Sequence, residues 1–454
     1  MEGEIHLSRK LGVWTAVFAV FASMIGSGIF GTSGLVLGLV KSPLVTIYLW
    51  IFYGLTALAG ALCYAELAAM MPHAGGEYVY IRRIFGELPS FLTGWVSFVV
   101  GFAAPAAASA FLAADYLKEL FILVLPGSEI TTFISGNVGQ KGFSILLIVI
   151  FSVIHIVGVE KGSFIQNILT GVKLSIISIF IIAGFVSISS GSPVPVSEVL
   201  KVGEFDWKGT GLGMLLVLYA YSGWNGASYL AGEIKDPEKN VPRALFWGTL
   251  LTMLIYIIMN LLYFLAIPAA ELMGKDTPAS LTAVHLFGKG VSVLFNIAFC
   301  FILLSSISAQ IMIGPRVYYA MAKDKNFFHY AGKIHKRFHT PATSIVLQST
   351  LSIVYILTGT FFTVLIYMGF ALSIFPIVTM LALIKTRYQN GKNMNTKGLY
   401  QTPFFPALPV FFIAVSIYLI VFSFIQNWQS CLTALGAVCM GIPAYYLWQS
   451  LRKE

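Results

Sequence analysis

Two glycine-containing stretches carry the groups best suited to binding a small ligand with two opposite charges. The first, Ile25-Gly26-Ser27-Gly28-Ile29, lies inside the apolar run that begins at Leu11. The second, Tyr219-Ala220-Tyr221-Ser222, lies inside a later apolar run and is followed by Gly223. Because glycine adopts backbone torsions that other residues avoid, each stretch is predicted to interrupt a membrane helix.

A broken helix exposes main-chain groups that suit a zwitterion. The half-helix that begins near Ile29 offers free N–H groups and a positive dipole end, which attract a carboxylate. The half-helix that ends near Met24 and Ile25 offers free carbonyl groups, which attract an ammonium. Further carbonyl groups are expected from Tyr219, Ala220 and Ser222. Neither stretch contains Asp, Glu, Lys or Arg, so the predicted ligand is an α-amino acid with a neutral side chain.

A second interpretation of these glycines is purely structural. Small residues let membrane helices pack closely, and either segment taken alone is compatible with that role. Unwinding a helix in lipid leaves N–H and C=O groups that protein, water or a ligand must satisfy. Two such segments in corresponding halves of one chain favour a binding site, because this pattern is typical of secondary transporters.

Lys173, in the apolar sequence LTGVKLSII, is the most informative charged residue. A lysine inside a membrane span is costly and marks a functional site by default. Its ammonium is expected at a place where other transporters bind sodium, joining span 1 carbonyl groups to span 8. Since a buried lysine shifts its pKa readily, proton exchange is a second role. The alternative is that the side chain snorkels to the membrane interface.

Two aromatic residues, one within the second stretch and one just after it, are predicted to act with Lys173 in gating. Tyr219 lies toward the outer side of the break and is expected to form a lid over the ligand. Trp224 is expected to pack beneath the break. The alternative for both is interfacial anchoring or ordinary packing.

Composition places the chain in a membrane. Of its 454 residues, 57% are hydrophobic and only 10% are charged, whereas soluble domains carry about 25% charged residues. Apolar runs of about 20 residues follow one another, each long enough to span a bilayer as a helix. The runs do not alternate in polarity as the strands of a membrane barrel do. The predicted fold class is therefore an all-α polytopic membrane protein.

Twelve spans are predicted, and charge sets their orientation. They cover roughly 11–38, 43–71, 88–121, 142–158, 163–189, 209–232, 243–268, 289–322, 342–358, 361–385, 406–426 and 431–450. With a cytoplasmic N-terminus, most of the 28 Lys and Arg residues fall on cytoplasmic segments, as the positive-inside rule requires. The net charge of +9 therefore reflects topology and needs no nucleic-acid partner.

The first ten spans divide into two halves of five. Residues 1–189 form the first half and residues 190–388 the second, which enters the membrane upside down because five is odd. Span 6 then repeats the role of span 1, and helices 1 and 6 are the discontinuous pair. Residues 389–454 add spans 11 and 12, which serve packing or dimer contacts, so both a monomer and a homodimer remain open.

The remaining polar residues indicate structural roles. Glu66 is expected to pair with Arg82 or Arg83, Arg316 to pair or cap near the cytoplasmic end of span 8, and Glu233 to pair with a cytoplasmic Lys or Arg and close an inner gate. His155 and His285 show no metal-ligand spacing, and the four cysteines lie in apolar runs. No nucleotide-binding loop or catalytic motif occurs, so we expect neither an enzyme nor a cofactor or metal.

Several motifs together resemble the amino acid–polyamine–organocation superfamily. They are GSGIF in span 1, YAEL followed by PHAGGEYVY after span 2, the span 5 lysine, YSGW in span 6 and EIKDPEKNVPRAL after it, and RVYYAMAKDKNFF after span 8, followed by a cytoplasmic TPATSIVLQ. The resemblance covers essentially the whole chain and is greatest to prokaryotic L-type amino acid transporters. It implies the inverted five-plus-five repeat called the LeuT fold, alternating access, and recognition of the amino acid backbone at the broken helices.

The resemblance also assigns residues and partners. The implied substrate-binding residues are Ile25, Gly26, Ser27, Gly28, Ile29, Tyr219, Ala220, Tyr221 and Ser222. Many members carry Phe as an aromatic gate where Tyr219 stands here. A span 5 lysine implies sodium independence. Animal members bind a glycoprotein subunit through an extracellular cysteine, and no cysteine lies in a predicted outer loop, so no disulfide-linked subunit is expected.

The predicted function is sodium-independent exchange or facilitated transport of neutral L-amino acids across the plasma membrane. Both termini are expected in the cytoplasm. The alternative within transport is proton-coupled symport through Lys173. From a different class, a membrane sensor or a channel remains open.

Overall fold

The protein is all-helical throughout the part that the structure describes. A computed structural model describes residues 9, 11–73, 75–157, 159–191, 194–201, 206–335, 337–338, 340–390, 399–426 and 428–451. Within these residues, the one strand-like feature is a parallel bridge between Leu11 and Ile234. The apolar runs in both halves of the chain are therefore helical, as the sequence predicts.

The first half of the chain contains helices up to residue 189. They are α1 (Val13–Met24), α2 (Ser27–Gly31), α3 (Ser33–Val40), α4 (Pro43–Met70), α5 (Glu77–Phe85), α6 (Glu87–Val96), α7 (Ala103–Val124), α8 (Glu129–Ser135), α9 (Asn137–Val157) and α10 (Val159–Ser189). A π-helical turn over Ser97–Phe102 joins α6 to α7.

The remainder of the chain continues in the same way. Its helices are α11 (Val196–Val199), α12 (Trp207–Tyr221), α13 (Gly226–Tyr229), α14 (Pro237–Ala266), α15 (Ala269–Leu272), α16 (Pro278–Ile313), α17 (Pro315–Lys323), α18 (Ala342–Thr358), α19 (Phe361–Asn390), α20 (Ala407–Gln426), α21 (Trp428–Cys439) and α22 (Gly441–Leu451). A 3₁₀ turn covers His329–Gly332.

Ten helical segments of the described residues are long and apolar enough to cross a membrane. They are Val13–Gly31, Pro43–Met70, Glu87–Val124, Asn137–Val157, Gln166–Ser189, Pro237–Ala266, Pro278–Lys323, Met368–Gln389, Ala407–Gln426 and Cys431–Ser450. The molecule is therefore a polytopic membrane protein. The other two predicted spans are shorter helices: 209–232 is divided into α12 and α13, and 342–358 is the 17-residue α18.

The first break separates α1 from α2. Helix α1 ends at Met24 because Ile25 leaves the helical region, with φ −78° and ψ 107°. Gly26 follows with φ −163° and ψ −135°, and the chain is helical again from Ser27. Only two residues are unwound, so the two helix ends stay close to each other.

The second break separates α12 from α13. Ser222 is non-helical at ψ 150°, and Gly223 has a φ of +94°, in the region that favours glycine. A Cβ placed on Gly223 would lie 2.8 Å from the carbonyl oxygen of Ser23, near the end of α1. Glycine is thus required twice here, for the torsion and for the close approach of the two broken helices.

Two sets of helices hold the breaks in place. Helix α14 packs against α1 and α4, and α16 packs against α7 and α10. The Ala-rich beginning of α7, over residues 103–110, is almost completely buried. The hydrophobic effect does little to drive helices together within lipid, so close van der Waals packing has to do so. Small side chains allow that close packing.

The polar contacts at one end of the helix bundle define a surface that we call the basic face. It comprises residues 71–73, 75–86, 233–236, 324–335 and 385–390 together with Leu11. Arg82 contacts Asp324, and the Arg316 side chain lies 3.0 Å from Glu233. Main-chain hydrogen bonds of 2.9 Å join Leu11 to residues 233 and 235. At the opposite face, Lys41 lies 3.9 Å from Asp206.

The structure corrects the predicted partner of Glu66. Its carboxylate binds Arg387 in a two-pronged arrangement, with N–O distances of 2.6 and 2.8 Å, and accepts the main-chain N–H of Thr402 at 2.7 Å. Arg82, one of the two predicted partners, contacts Asp324 instead. Sequence reasoning favoured neighbours along the chain, whereas the true partner lies 321 residues away at the end of α19.

We expect Glu66→Gln to destabilise the protein by roughly 2 kcal/mol. Loss of one partner from a fully buried pair costs about 3–5 kcal/mol, and Arg387 is partly exposed. Glu87→Gln is the matched control, because that carboxylate is exposed and lies 3.9 Å from its arginine. Thermal unfolding of both variants in detergent tests this. Equal melting temperatures for the two variants would contradict it.

Candidate functional site

Lys173 binds the main chain at the first break. Its Nζ donates to the carbonyl oxygen of Ile25 at 2.5 Å and to the hydroxyl of Ser306, on α16, at 3.0 Å. The Ser306 hydroxyl itself donates to Ile25 at 2.9 Å, and the carbonyl oxygen of Ala22 lies 3.4 Å from Nζ. The side chain is completely buried. It therefore joins α1 to α16 and does not snorkel to the interface.

The charge of Lys173 is balanced by dipoles at this site. None of the ion pairs among the described residues includes this lysine. Its ammonium lies at the carboxyl end of α1, where unpaired carbonyl groups concentrate the negative end of the helix dipole. The amine of Lys173 is thus placed at the negative end of the helix dipole of α1.

Tyr256, on α14, connects the two breaks, and sequence reasoning missed it. Its hydroxyl lies 2.6 Å from the carbonyl oxygen of Met24 and 2.9 Å from that of Ala220. The single O–H of Tyr256 therefore donates to a carbonyl group of either broken helix, or is shared between the two. One signal was available: a buried tyrosine inside an apolar run usually finds a hydrogen-bond partner for its hydroxyl.

Hydroxyl groups from three helices meet beside the first break. The Ser27 hydroxyl contacts the hydroxyl of Tyr219 and lies 3.2 Å from that of Ser109, on α7. Two of the residues predicted for the site, Ser27 and Tyr219, are thus in direct contact. All three side chains are buried, so the cluster lies inside the helix bundle.

The two glycine-containing stretches pack directly on each other. A Cβ placed on Gly28 would lie 2.5 Å from the Cα of Ala220, and one on Gly26 would lie 2.5 Å from the Ser306 hydroxyl. The amino end of α2, with its free N–H groups, is therefore brought against the carboxyl end of α12. Helix ends of opposite partial charge therefore lie within a few ångströms of each other.

A cavity of about 80 Å³ lies on the basic-face side of the breaks. Ser222 and Trp224 line it, as do Ser23 and Gly223, so it reaches both broken helices. The Trp224 ring packs against Tyr64 with centroids 4.7 Å apart. Polar side chains also line the cavity, namely Glu77, Asn225 and Gln310.

Not every predicted site residue turns its side chain toward this cavity. The hydroxyl of Tyr221 donates to the carbonyl oxygen of Trp50 at 2.8 Å, and its ring packs against Tyr256. Ile25 and Ile29 are fully buried in the core around the first break. These residues have their main chain at the breaks, while their side chains support the surrounding helices.

Contacts at the basic face join the two broken helices. Glu233, which follows α13, pairs with Arg316 at 3.0 Å, so the predicted basic partner of Glu233 is an arginine at the start of α17. The Leu11–Ile234 bridge holds the segment before α1 against the segment after α13. The ends of both broken helices are thus fastened together at this face.

Comparison with known protein families identifies the family of this chain. The family model described as amino acid permease matches residues 11–439. The chain belongs to the amino acid permease family. The resemblance to the amino acid–polyamine–organocation superfamily and to L-type transporters is thereby confirmed.

Several relatives are similar over nearly their whole length. The serine/threonine exchanger SteT of Bacillus subtilis is 28% identical, over 97% of each chain. The large neutral amino acids transporter small subunit 2 of Homo sapiens is 27% identical, over 98% of this chain and 82% of its own. The human b(0,+)-type amino acid transporter 1 is 27% identical, over 97% and 88%. Amino acid transport is therefore the activity of the family.

We expect Gly28→Ala to force the two breaks apart. The added methyl group would meet the main chain of Ala220, which has no flexible end to move aside. Gly171→Ala is the matched control, because nothing lies within 4 Å of that position on α10. Amino acid uptake and thermal unfolding should both fall for Gly28→Ala and stay near wild type for Gly171→Ala. Wild-type behaviour of both variants would contradict the close contact.

Proposed function

We propose that this protein is a sodium-independent secondary transporter that exchanges neutral L-amino acids across a membrane by alternating access. It works as an exchanger or facilitator and not as an enzyme, and it needs no cofactor. The main-chain ammonium and carboxylate of the amino acid bind at the two helix breaks. The membership of the chain in the amino acid permease family supports the substrate class.

The observation that carries this proposal is the meeting of two opposite helix ends inside the membrane. The amino end of α2 supplies N–H groups over residues 27–29, which suit a carboxylate. The carboxyl ends of α1 and α12 supply carbonyl groups, which suit an ammonium. Tyr256 and Lys173 already bind some of these carbonyl groups, and each carbonyl oxygen has a second lone pair for the ligand.

The position of Lys173 supports sodium independence. Its ammonium occupies the space beside the Ile25 carbonyl oxygen and the Ser306 hydroxyl, and oxygen atoms of these kinds are the ligands that a sodium ion prefers. The ammonium of Lys173 supplies at this place the positive charge that a co-transported sodium ion supplies in other transporters. Coupling to sodium is then neither required nor possible at this place.

The residues at the breaks support a neutral and small side chain. No charged side chain other than Lys173 binds the described main chain at the breaks, and Lys173 is satisfied by oxygen atoms of the protein. The Ser27, Ser109 and Tyr219 hydroxyl groups offer partners to a hydroxylated side chain. The name of the similar Bacillus subtilis protein, a serine/threonine exchanger, agrees with serine and threonine as substrates.

The proposal extends to membrane arrangement. Twelve spans cross the plasma membrane, with five in each inverted half (residues 1–189 and 190–388) in the LeuT arrangement, and spans 11 and 12 in residues 389–454. The basic face and both termini lie in the cytoplasm, because positively charged segments are retained there. Tyr219 serves as the lid toward the outer side, and Trp224 packs beneath the break. The protein is a monomer or a homodimer without a disulfide-linked subunit.

Exchange in proteoliposomes tests the proposal. Purified protein is reconstituted, and uptake of labelled L-serine is measured with and without unlabelled L-serine inside. Internal serine should accelerate uptake several-fold, uptake should saturate, and replacing sodium by choline should change nothing. A pH gradient alone should not drive accumulation.

Each contrary result points to a different function. Accumulation driven by a proton gradient would indicate proton-coupled symport and overturn exchange. Uptake that rises linearly with serine concentration would indicate a channel. Binding of serine without any movement of label across the bilayer would indicate a sensor.

A further inference from the structure

Glu77 lies at the cavity in an unusual setting for a carboxylate. It begins α5, directly after Gly75 and Gly76, and only 6% of the residue is exposed. Its two oxygen atoms accept hydrogen bonds from the hydroxyl of Tyr64 at 2.5 Å and from that of Tyr229 at 3.0 Å. None of the ion pairs among the described residues includes it.

The segment that carries Glu77 is fastened to the second broken helix. The N–H of Gly75 lies 3.3 Å from the carbonyl oxygen of Tyr229, the last residue of α13. Gly76 has a φ of +53°, and a Cβ there would lie 2.6 Å from the Tyr229 ring. The carboxylate is therefore held at a fixed place beside the cavity.

The walls of the cavity suit a cation of the ammonium type. Glu77 supplies a negative charge, and two hydrogen bonds leave lone pairs on its oxygen atoms free. The rings of Phe102, Trp224 and Tyr229 also line the cavity, and aromatic faces attract ammonium groups. The amide groups of Asn225 and Gln310 also line the cavity, and the described residues that form its lining include no Lys, Arg or His.

Burial makes an unpaired charge on Glu77 costly. It raises the pKa of the Glu77 carboxyl above its usual range, and the hydrogen bonds from Tyr64 and Tyr229 oppose the shift in part. A cation arriving beside the carboxylate would compensate for the lost hydration. The ionised form of Glu77 is therefore stabilised most when a positively charged group enters the cavity.

We propose that this cavity is a second binding site, on the basic-face side of the helix breaks, where Glu77 binds the ammonium group of an amino acid as it enters or leaves. The inference rests on the proposed transport of amino acids. Ser23, Ser222 and Gly223 line the same cavity as Glu77, so the ammonium can pass from the carbonyl groups of the breaks to Glu77 within one cavity.

Sided exchange kinetics in proteoliposomes test the site. The KM for L-serine is measured separately from the side that faces the basic face and from the opposite side, for wild type and for Glu77→Gln. The substitution keeps the shape of the side chain and removes its charge. We expect the KM on the basic-face side to rise about tenfold, the loss of one charge-assisted hydrogen bond, and the KM on the opposite side to change less than about twofold.

Two further variants separate charge from structure. Glu77→Asp keeps the charge and should restore much of the affinity. Tyr64→Phe removes a hydrogen bond to Glu77 and leaves the lining of the cavity intact, because Tyr64 is not among the residues that form it. If Tyr64→Phe raises the KM on the basic-face side as much as Glu77→Gln does, the role of Glu77 is structural and the proposal fails.

The pH on the basic-face side offers an independent readout. Protonation of Glu77 removes its charge, so the KM on that side should rise as the pH there falls, and Glu77→Gln should abolish this dependence. The titratable groups that face Glu77 are Tyr64, Tyr80 and Tyr229. Tyrosines have an ordinary pKa of about 10, so these three stay protonated as the pH falls from neutral. A dependence on pH that survives in Glu77→Gln would contradict the assignment.

Direct binding keeps the proposal testable if Glu77→Gln does not exchange at all. Ethylammonium lacks the carboxylate needed at the breaks, so it reports on the cavity alone. It should raise the melting temperature of the wild-type protein in detergent and leave that of Glu77→Gln unchanged. Equal shifts in both proteins, or none in the wild type, would overturn the site, whereas absence of serine exchange by the wild type would overturn the proposed function instead.

Discussion

Unpaired main-chain groups inside a membrane are the constraint on which this structure depends. Lipid offers no hydrogen bonds, so every carbonyl group freed by unwinding a helix must find a partner within the protein. Lys173 and Ser306 bind the carbonyl group of Ile25, and the one hydroxyl proton of Tyr256 is shared between the carbonyl groups of Met24 and Ala220. The side chains that stabilise the breaks come from the neighbouring helices α10, α14 and α16. Two interrupted helices are thereby maintained at the centre of the bundle.

The same contacts connect the breaks with the rest of the molecule. Because one tyrosine hydroxyl serves both broken helices, a movement of α1 relative to α12 must change its hydrogen bonds. At the basic face, the Leu11–Ile234 bridge and the Glu233–Arg316 pair hold the segment before α1 and the segment after α13 together. A rearrangement that opens the cavity to that side therefore has to separate a small and defined set of contacts.

The sequence predicts the membrane class and the two breaks well, because hydropathy and glycine position are local properties of the chain. Lys173 stands out for the same reason, as a single charge within an apolar run. The partner of Glu66 is not predictable in this way, since Arg387 is brought to it by the packing of α19. Tyr256 and Glu77 are also missed, because a tyrosine within an apolar run and a carboxylate at the start of a helix acquire their roles only from the groups that surround them.

The central claim is that the breaks bind both main-chain charges of an amino acid. Competition with labelled L-serine tests it most directly, using L-alanine, L-alaninamide and N-acetyl-L-alanine as competitors in the same assay. Alaninamide lacks the carboxylate and N-acetylalanine lacks the ammonium, while all three keep the same side chain. With all competitors added on the side opposite the basic face, we predict that alanine competes and that neither derivative does at tenfold higher concentration, because each lost charge leaves one helix end unpaired. Competition by either derivative as effective as that of alanine would contradict the account.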